Sequence, residues 1–175
     1  MRLAETGQIM GSVLDVGCGT GENALYLAER GFAVVGIDGA PTAIRKARAK
    51  AKRRVLNAQF ELADALNLSK PERLFDTIID SGLFHVFSDE ERDRFRESLE
   101  RVIRIGGTYF LMCFSDQQPG DWGPRRVTQA EVRSVFRDGW RVNDIEPSAF
   151  DTNEGHAYAW LASISRLGKG ARSAV

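Results

Sequence analysis

Short apolar runs alternate along this chain with longer segments in which apolar and charged residues mix. The runs are typical of buried strands, and the mixed segments are typical of helices with one polar face. Strands are predicted over residues 13–16, 33–38, 60–63, 75–80 and 108–114, and helices over residues 23–30, 41–53, 88–103 and 128–137. Ser88 and Thr128 each begin a capping box at the start of a helix. This alternation predicts an α/β fold with a parallel, doubly wound sheet.

The last part of the chain changes in character. Residues 108–114 are nearly all apolar, which predicts a central strand buried on both faces. Two further strands, at residues 140–145 and 157–164, follow the last helix and are compatible with a hairpin. The length predicts one domain over residues 1–167. The small, basic segment at residues 168–175 is expected to be a disordered tail.

A glycine-rich turn joins the first predicted strand to the first predicted helix. Gly17, Gly19 and Gly21 have the spacing G-x-G-x-G, whereas the dinucleotide-binding fingerprint requires G-x-G-x-x-G or A. The sixth place is Glu22, whose carboxylate would repel the pyrophosphate of a dinucleotide. Together with Asp15, which lies just before the turn, Glu22 favours a ligand whose near end is cationic or hydroxylated.

Acidic residues occur at the ends of four predicted strands, as Asp15, Asp38, Asp64 and Asp80. Ligands of open α/β sheets bind outside the carboxyl ends of the strands, so these side chains are expected to surround one ligand. S-adenosylmethionine fits them through its ammonium and sulfonium charges, its ribose hydroxyls and its adenine amino group. The residues expected to bind this cofactor are Asp15, Gly17, Gly19, Gly21, Glu22, Asn23, Asp38, Gly39, Asp64, Ala65, Asp80 and Ser81.

The loop after the fourth predicted strand and the long loop after the fifth carry candidates for acceptor binding. His85 is a candidate general base because a histidine titrates near neutrality, and the alternative is a histidine that only packs or caps its loop. Asp116 is the second candidate base. Phe84, His85, Phe114 and Trp122 are expected to form an aromatic acceptor wall. The alternative for Trp122 is that it packs its loop down.

Composition narrows the function further. The 24 basic and 24 acidic residues balance, so no overall field favours nucleic acid or a membrane. The basic run at residues 45–54 has no interleaved aromatic residues and is interpreted as a solvated helix face. Cys18 and Cys113 are interpreted as reduced apolar side chains, and their spacing predicts no metal site. No apolar run approaches the ~20 residues of a membrane span. A cytoplasmic enzyme is therefore expected.

These motifs resemble those of class I S-adenosylmethionine-dependent methyltransferases over essentially the whole chain. The matching segments are residues 13–22 for the first motif, 36–38 for the ribose-binding acid, 62–65 for the adenine-binding motif, 75–81 for the fourth-strand motif and 105–111 for the turn and fifth strand. Ile105 stands where the family usually has a proline. The resemblance implies a Rossmann-like, mostly parallel seven-stranded sheet whose last strand is antiparallel.

More narrowly, residues 80–87 and 114–122 resemble thiopurine-methyltransferase-like and bacterial heterocyclic-toxin methyltransferases. This implies S_N2 transfer of a methyl group to an O, N or S atom of a small aromatic, heterocyclic or thiol acceptor. Such enzymes carry several tens of residues before the first strand, where this chain has residues 1–12, so an open acceptor pocket and weak activity are expected. A monomer or homodimer is expected.

Two other functions stay open at this point. One is a non-catalytic protein of the same fold that binds S-adenosylmethionine without transferring its methyl group. The other is an NAD-dependent oxidoreductase, in which Asp38 would bind the ribose. The glycine spacing and Glu22 argue against the second alternative.

Overall fold

A computed structural model describes residues 2–69, 74–152 and 155–168. Within these residues the strands are β1 Val13–Val16, β2 Val34–Asp38, β3 Ala58–Leu62, β4 Phe75–Ser81, β5 Ile103–Phe114, β6 Trp140–Thr152 and β7 Gly155–Arg166. The helices are α1 Arg2–Glu5, α2 Glu22–Glu29, α3 Pro41–Arg54, α4 Asp89–Val102 and α5 Gln129–Val135. Short 3₁₀ turns at Ala65–Asn67 and Phe84–Val86 follow β3 and β4.

The strands form one seven-stranded sheet in the order β3-β2-β1-β4-β5-β7-β6. The first five are parallel neighbours, and β7 runs antiparallel to both β5 and β6. The chain winds outward from β1 in one direction and from β4 in the other, so a topological switch point lies between these two strands. Ligands of such sheets bind there. The fold predicted from the sequence is confirmed, including the antiparallel last strand.

Helices cover both faces of the sheet. Leu25 of α2 and Ile44 of α3 pack in one core, and Leu99 of α4 and Val132 of α5 pack in the other. Successive residues of β1 point to opposite cores, as the pleat of a strand requires. The predicted burial of residues 108–114 is confirmed, because most of these side chains are buried. No helix among the described residues is long and apolar enough to cross a membrane.

The largest departure from the predicted elements is the C-terminal hairpin. It was expected at residues 140–145 and 157–164, but β6 and β7 pair all the way from Trp140 with Arg166 to Thr152 with Gly155. The far half of β6 is mostly polar and lies at the sheet edge, so no apolar run marks it in the sequence. This segment becomes a strand because it pairs with β7.

The predicted helix bounds are close to those of the structure. Both predicted capping boxes are present at Ser88 and Thr128, and these helices end at Val102 and Val135. Of the predicted tail, only residue 168 lies within the described residues.

Candidate active site

Among the described residues, most of those predicted to bind the cofactor line one of two cavities at the carboxyl ends of the strands. The first, about 430 Å³, is called the β2 cleft and is lined by Gly17, Ile37, Asp38, Gly39, Leu62, Ala63, Asp64, Ala65, Leu83 and Phe87. The second, about 290 Å³, is called the β5 cavity and is lined mainly by β4, β5, β6 and α1. One loop separates them, because Ser81 lines the β5 cavity and Leu83 lines the β2 cleft.

The glycine turn needs backbone conformations that glycine adopts easily. Gly17, Gly19 and Gly21 have φ angles of +69°, +54° and +84°, all in the left-handed region. A Cβ atom at Gly21 would lie 2.7 Å from the ring of Phe60, so this glycine allows close packing of α2. A Cβ atom at Gly19 would meet nothing within 4 Å. Gly19 therefore exposes backbone to open space, where a ligand can approach closely.

Several backbone donors of the turn and of the α2 N-terminus have partners within the protein. Two turn amides donate to backbone carbonyls. The Gly19 amide donates to Asp38 Oδ2 at 2.8 Å, and the Ala24 amide donates to Asp15 Oδ2 at 3.1 Å. Carboxylates thus occupy donors that bind phosphate in dinucleotide sites. This arrangement favours a cationic ligand over an anionic one.

Asp15 and Asp80 are buried carboxyl groups, 1% and 2% exposed. Burial raises the pKa of each to about 7, and the neighbouring Asp80 also contributes to the raised pKa of Asp15. Asp80 accepts hydrogen bonds from the Leu83 amide at 2.7 Å, the Phe84 amide at 3.1 Å and the Tyr109 hydroxyl at 2.8 Å. Its side chain therefore fixes the loop that separates the two cavities.

Asp38 and Asp64 present carboxylate oxygens at the β2 cleft. Asp38 Oδ2 accepts from Gly19, and its Oδ1 accepts from the Ala40 amide at 2.8 Å. Asp64 Oδ1 accepts from the Leu66 amide at 2.9 Å. Each carboxylate retains free lone pairs. Among the described residues that line the cleft, there are two carboxylates and no cation, which fits a ribose and an adenine amino group.

The structure corrects the expected direction of Glu22. Its carboxylate contacts Lys50 Nζ at 2.6 Å and Arg54 Nη2 at 3.3 Å, and its side chain is 60% exposed. The hydrogen bond from Lys50, with the charges of both cations, lowers the pKa of Glu22. Because α3 supplies these cations, the carboxylate turns toward α3. The electrostatic argument against a dinucleotide therefore rests on Asp15, whose carboxyl group occupies the Ala24 amide at the α2 N-terminus.

The β5 cavity was only partly foreseen from the sequence. It is lined by Arg2, Leu3, Ile9, Asn23, Ile79, Asp80, Ser81, Phe110, Met112, Ser148, Ala149 and Leu161. Asn23 and Ser81 were expected near the cofactor and lie here, among mainly apolar side chains. The strand alternation of residues 108–114 does place Phe110 and Met112 on one face. Leu161 lines the cavity because it pairs with Met112 where β5 and β7 lie side by side. The sequence does not reveal this pairing.

The structure opposes a general-base role for His85. Its ring is 5% exposed, and its Nδ1 accepts the Phe114 amide at 3.0 Å. Because a backbone amide only donates, Nδ1 holds the lone pair and Nε2 carries the proton in the neutral ring. Burial, with the charges of Arg92 and Arg126, lowers the pKa of His85 to about 4. The packing alternative is supported instead.

The structure also corrects the placement of Phe84. This side chain is fully buried and lies 6.0 Å from the ring of Phe136, with the guanidinium of Arg92 4.6 Å from its centroid. Asp80 binds the Phe84 amide at the start of the 3₁₀ turn, and the side chain packs in the core between the sheet and α5. Phe84 therefore belongs to the core and not to an acceptor wall.

Phe114 and Trp122, by contrast, do come together. Phe114 lies 5.1 Å from the ring of His85, 5.4 Å from that of Phe150 and 5.8 Å from that of Trp122. Phe114 is buried, whereas Trp122 is 43% exposed. Phe150 was missed because it lies in the part of β6 that the sequence pattern does not mark as strand.

The loop that carries Trp122 is held by its own side chains. The Arg126 guanidinium donates to the carbonyl oxygens of Gln118, Pro119, Gly120, Trp122 and Pro124. Asp116 Oδ1 accepts from the Trp160 indole at 3.0 Å. Among the described residues that line either cavity, Asp116 does not occur, so the geometry gives no support to Asp116 as a base.

Comparison with known proteins agrees with this geometry. A family model described as a methyltransferase domain matches residues 13–107, more than half of the chain. A 2-heptyl-1-hydroxyquinolin-4(1H)-one methyltransferase of Mycobacteroides abscessus is 40% identical over 156 residues, which cover 87% of this chain and 69% of the relative.

Solved structures show the same fold. One, from work on the conversion of a disulfide bond into a thioacetal group during echinomycin biosynthesis, is 36% identical, with a TM-score of 0.86 over 95% of this chain and 79% of that one. Magnesium protoporphyrin IX methyltransferase from Synechocystis PCC 6803, with bound S-adenosylmethionine, is 20% identical, with a TM-score of 0.74 over 94% of this chain and 74% of that one. The oxidoreductase and non-catalytic alternatives are set aside. The chain belongs to the methyltransferase domain family and is a class I S-adenosylmethionine-dependent methyltransferase.

Proposed function

We propose that this enzyme methylates an O, N or S atom of a small, largely apolar heteroaromatic acceptor. The cofactor would occupy the β2 cleft, and the acceptor would occupy the β5 cavity. The observation that carries this proposal is the position of the β5 cavity, which is mainly apolar and whose lining residue Ser81 lies two residues before Leu83 of the carboxylate-lined β2 cleft.

In the β2 cleft, Asp38 is proposed to accept the ribose hydroxyls and Asp64 the adenine amino group. Gly39 and Ala65 line the cleft beside these two acids. Gly17 and Gly19 allow the backbone to approach the cofactor closely. Asp15, Asp80 and Ser81 lie toward the cationic end of the cofactor, where buried carboxyl groups stabilise positive charge.

The chemistry asks little of the protein beyond binding and alignment. When bound, S-adenosylmethionine supplies an activated methyl group on its sulfonium. The apolar walls of the β5 cavity exclude water and orient the acceptor, and good alignment alone lowers a barrier by roughly 7–11 kcal/mol. A thiolate, a ring nitrogen or an acidic heteroaromatic hydroxyl needs little help from a base. This agrees with a His85 whose Nδ1 is already engaged.

The relative in Mycobacteroides abscessus supports the proposed acceptor class. By its name it methylates a hydroxyquinolinone that carries a heptyl chain, which combines a flat heteroaromatic ring with an apolar substituent. Apolar side chains such as Ile79, Phe110, Met112 and Leu161 line the β5 cavity. They are suited to a ring or chain of this kind, and Asn23, which also lines the cavity, is proposed to form a hydrogen bond with its polar group.

A methyl-transfer screen tests the proposal. Radiolabelled S-adenosylmethionine would be incubated with the wild-type enzyme and a matched panel of hydroxyquinolinones, N-heterocycles, phenols and thiols, each with and without an alkyl chain. We expect turnover of heteroaromatic compounds, with a lower KM for the alkylated member of each pair. Two results would contradict the β5 cavity as the acceptor site. One is turnover of hydrophilic acceptors alone, and the other is an acceptor KM that does not change when the alkyl chain is removed.

A further inference from the structure

One residue of the basic run at residues 45–54 does not lie on a solvated face. Lys50 Nζ donates to the Thr20 carbonyl at 3.1 Å, to Thr20 Oγ1 at 2.7 Å and to Glu22 Oε1 at 2.6 Å. Its side chain is only 22% exposed, whereas Lys46, four residues earlier on α3, is exposed. The interpretation of the run as a solvated face is therefore wrong for Lys50.

The contacts of Lys50 converge on the glycine turn. Thr20 lies between Gly19 and Gly21, two residues in the left-handed region, and glycine gives a turn the greatest backbone freedom. On its other side the turn is held by Asp38, whose Oδ2 accepts the Gly19 amide. The turn is thus fixed from β2 by a carboxylate and from α3 by an ammonium group.

We propose that Lys50 is a positioning residue for the cofactor, which holds the Thr20 backbone so that the turn and Asp38 keep their binding geometry. The inference rests on the proposed cofactor site in the β2 cleft. A turn already held in its bound shape loses less conformational freedom when a ligand binds, which strengthens binding without any contact to the ligand. Lys50 would act in this way.

The contacts of Lys50 are not of equal weight. Glu22 is 60% exposed, and ion pairs with exposed partners stabilise little. The bonds to Thr20 are charge-assisted and part-buried, so they are the stronger ones. The effect of Lys50 should therefore come mainly through Thr20, and Glu22→Gln should matter less than Lys50→Met.

Cofactor affinity is the first test. Lys50→Met is compared with Lys46→Met, a control from the same face of α3, by titration calorimetry and steady-state kinetics with S-adenosylmethionine. We expect roughly tenfold weaker binding and a raised cofactor KM for Lys50→Met, with kcat changed by less than about twofold, because binding is weakened equally in the ground state and the transition state. Lys50→Arg should restore part of the affinity, and Lys46→Met should match wild type. Equal affinities for the two methionine variants, or a loss of kcat at unchanged cofactor KM, would overturn the inference.

Hydrogen exchange on the ligand-free protein separates this inference from the proposed function. Amides of residues 18–22 should exchange about tenfold faster in Lys50→Met than in wild type, with no change in Lys46→Met. Suppose that wild type does not bind S-adenosylmethionine but amides 18–22 exchange faster in Lys50→Met. The proposed cofactor site is then wrong, whereas the stabilisation of the turn by Lys50 is supported. If wild type binds the cofactor and the exchange rates are unchanged, the role of Lys50 is disproved.

Discussion

The β2 cleft and the β5 cavity lie at the same edge of one sheet but differ in how they are built. Polar groups of the β2 cleft, such as Asp38 and Asp64, are fixed by backbone amides close to them in sequence. The β5 cavity collects apolar side chains from α1 and from five different strands or their approaches. Local backbone geometry thus orients the polar groups of the β2 cleft, and long-range packing determines the shape of the β5 cavity.

This difference separates two tasks of the enzyme. The cofactor is constant, and a site made of backbone and short-range carboxylates reproduces its contacts rigidly. The acceptor site depends on which apolar side chains line it, so substitutions such as those at Met112 or Leu161 alter its shape without disturbing Asp38. Substitutions in one site should therefore change either the cofactor affinity or the acceptor KM, and not both.

The largest effect is expected from Asp38→Ala. Cofactor affinity should fall roughly 100-fold, because charge-assisted hydrogen bonds worth about 1.5–3 kcal/mol each are lost to the ribose and the Gly19 amide is left unpaired. Titration calorimetry measures this loss, and Asp38→Asn should lie between the variant and wild type. Asp116→Ala, outside both cavities, is the control, and equal losses in the two alanine variants would contradict the cleft as the cofactor site.

The second largest effect is expected from a substitution in the β5 cavity. Met112→Trp adds an indole to a cavity of about 290 Å³, so the acceptor KM should rise by roughly 10-fold or more while cofactor affinity changes by less than about twofold. Ile105→Trp makes the same change at the other end of β5, where Ile105 is 70% exposed. An unchanged acceptor KM for Met112→Trp, or an equal rise in both variants, would place the acceptor elsewhere.

A smaller effect is expected from pH. Burial raises the pKa of Asp15 to about 7, and a bound cation favours the ionised carboxylate. Affinity for S-adenosylmethionine should therefore rise a few-fold between about pH 6 and about pH 8. In the ligand-free protein the sign is opposite, because a raised pKa stabilises the fold at low pH and that contribution is lost as pH rises through about 7.

Calorimetry between about pH 6 and about pH 8 tests the first sign, and thermal unfolding between the ordinary pKa of 3.8 and the raised pKa of about 7 tests the second. Asp15→Asn should flatten each dependence, although Asp80, whose pKa burial also raises to about 7, still contributes. An unaltered pH dependence of affinity in Asp15→Asn would show that Asp15 does not respond to the cofactor charge.

The smallest effect is expected from Trp122→Ala. Its indole is 43% exposed and contacts the edge of the Phe114 ring, so the acceptor KM should change by about two- to threefold and the melting temperature hardly at all. Tyr158→Ala, a 54% exposed aromatic on β7, is the control. A larger change in cofactor affinity than in acceptor KM would contradict a role of Trp122 in acceptor binding.

The same contrast explains what the sequence could predict. The strand, glycine turn and helix around Gly17–Gly21 and the acid at Asp38 follow from local rules of glycine conformation and strand ends, and the fold and cofactor derived from them are confirmed. Glu22 was misplaced because its direction is set by Lys50, which the sequence alone does not bring near it.

Acceptor residues were harder to predict because they depend on register and burial. Phe84 and Phe114 look alike in sequence, yet Asp80 binds the Phe84 amide in a turn that buries the ring, while Phe114 ends β5 and contacts Trp122 of the loop that follows. Phe150 lies in a polar edge segment that becomes a strand only through its pairing with β7. No local pattern carries that information.

Arg126 has a consequence for how this enzyme can evolve. It holds residues 118–124 through carbonyl oxygens, and every amino acid has the same carbonyl. The loop therefore keeps its path when its side chains are exchanged, except at Gly120 and Gly123, whose φ angles of +74° and +80° favour glycine. Point substitutions elsewhere in the loop can thus accumulate while the loop backbone is inherited unchanged.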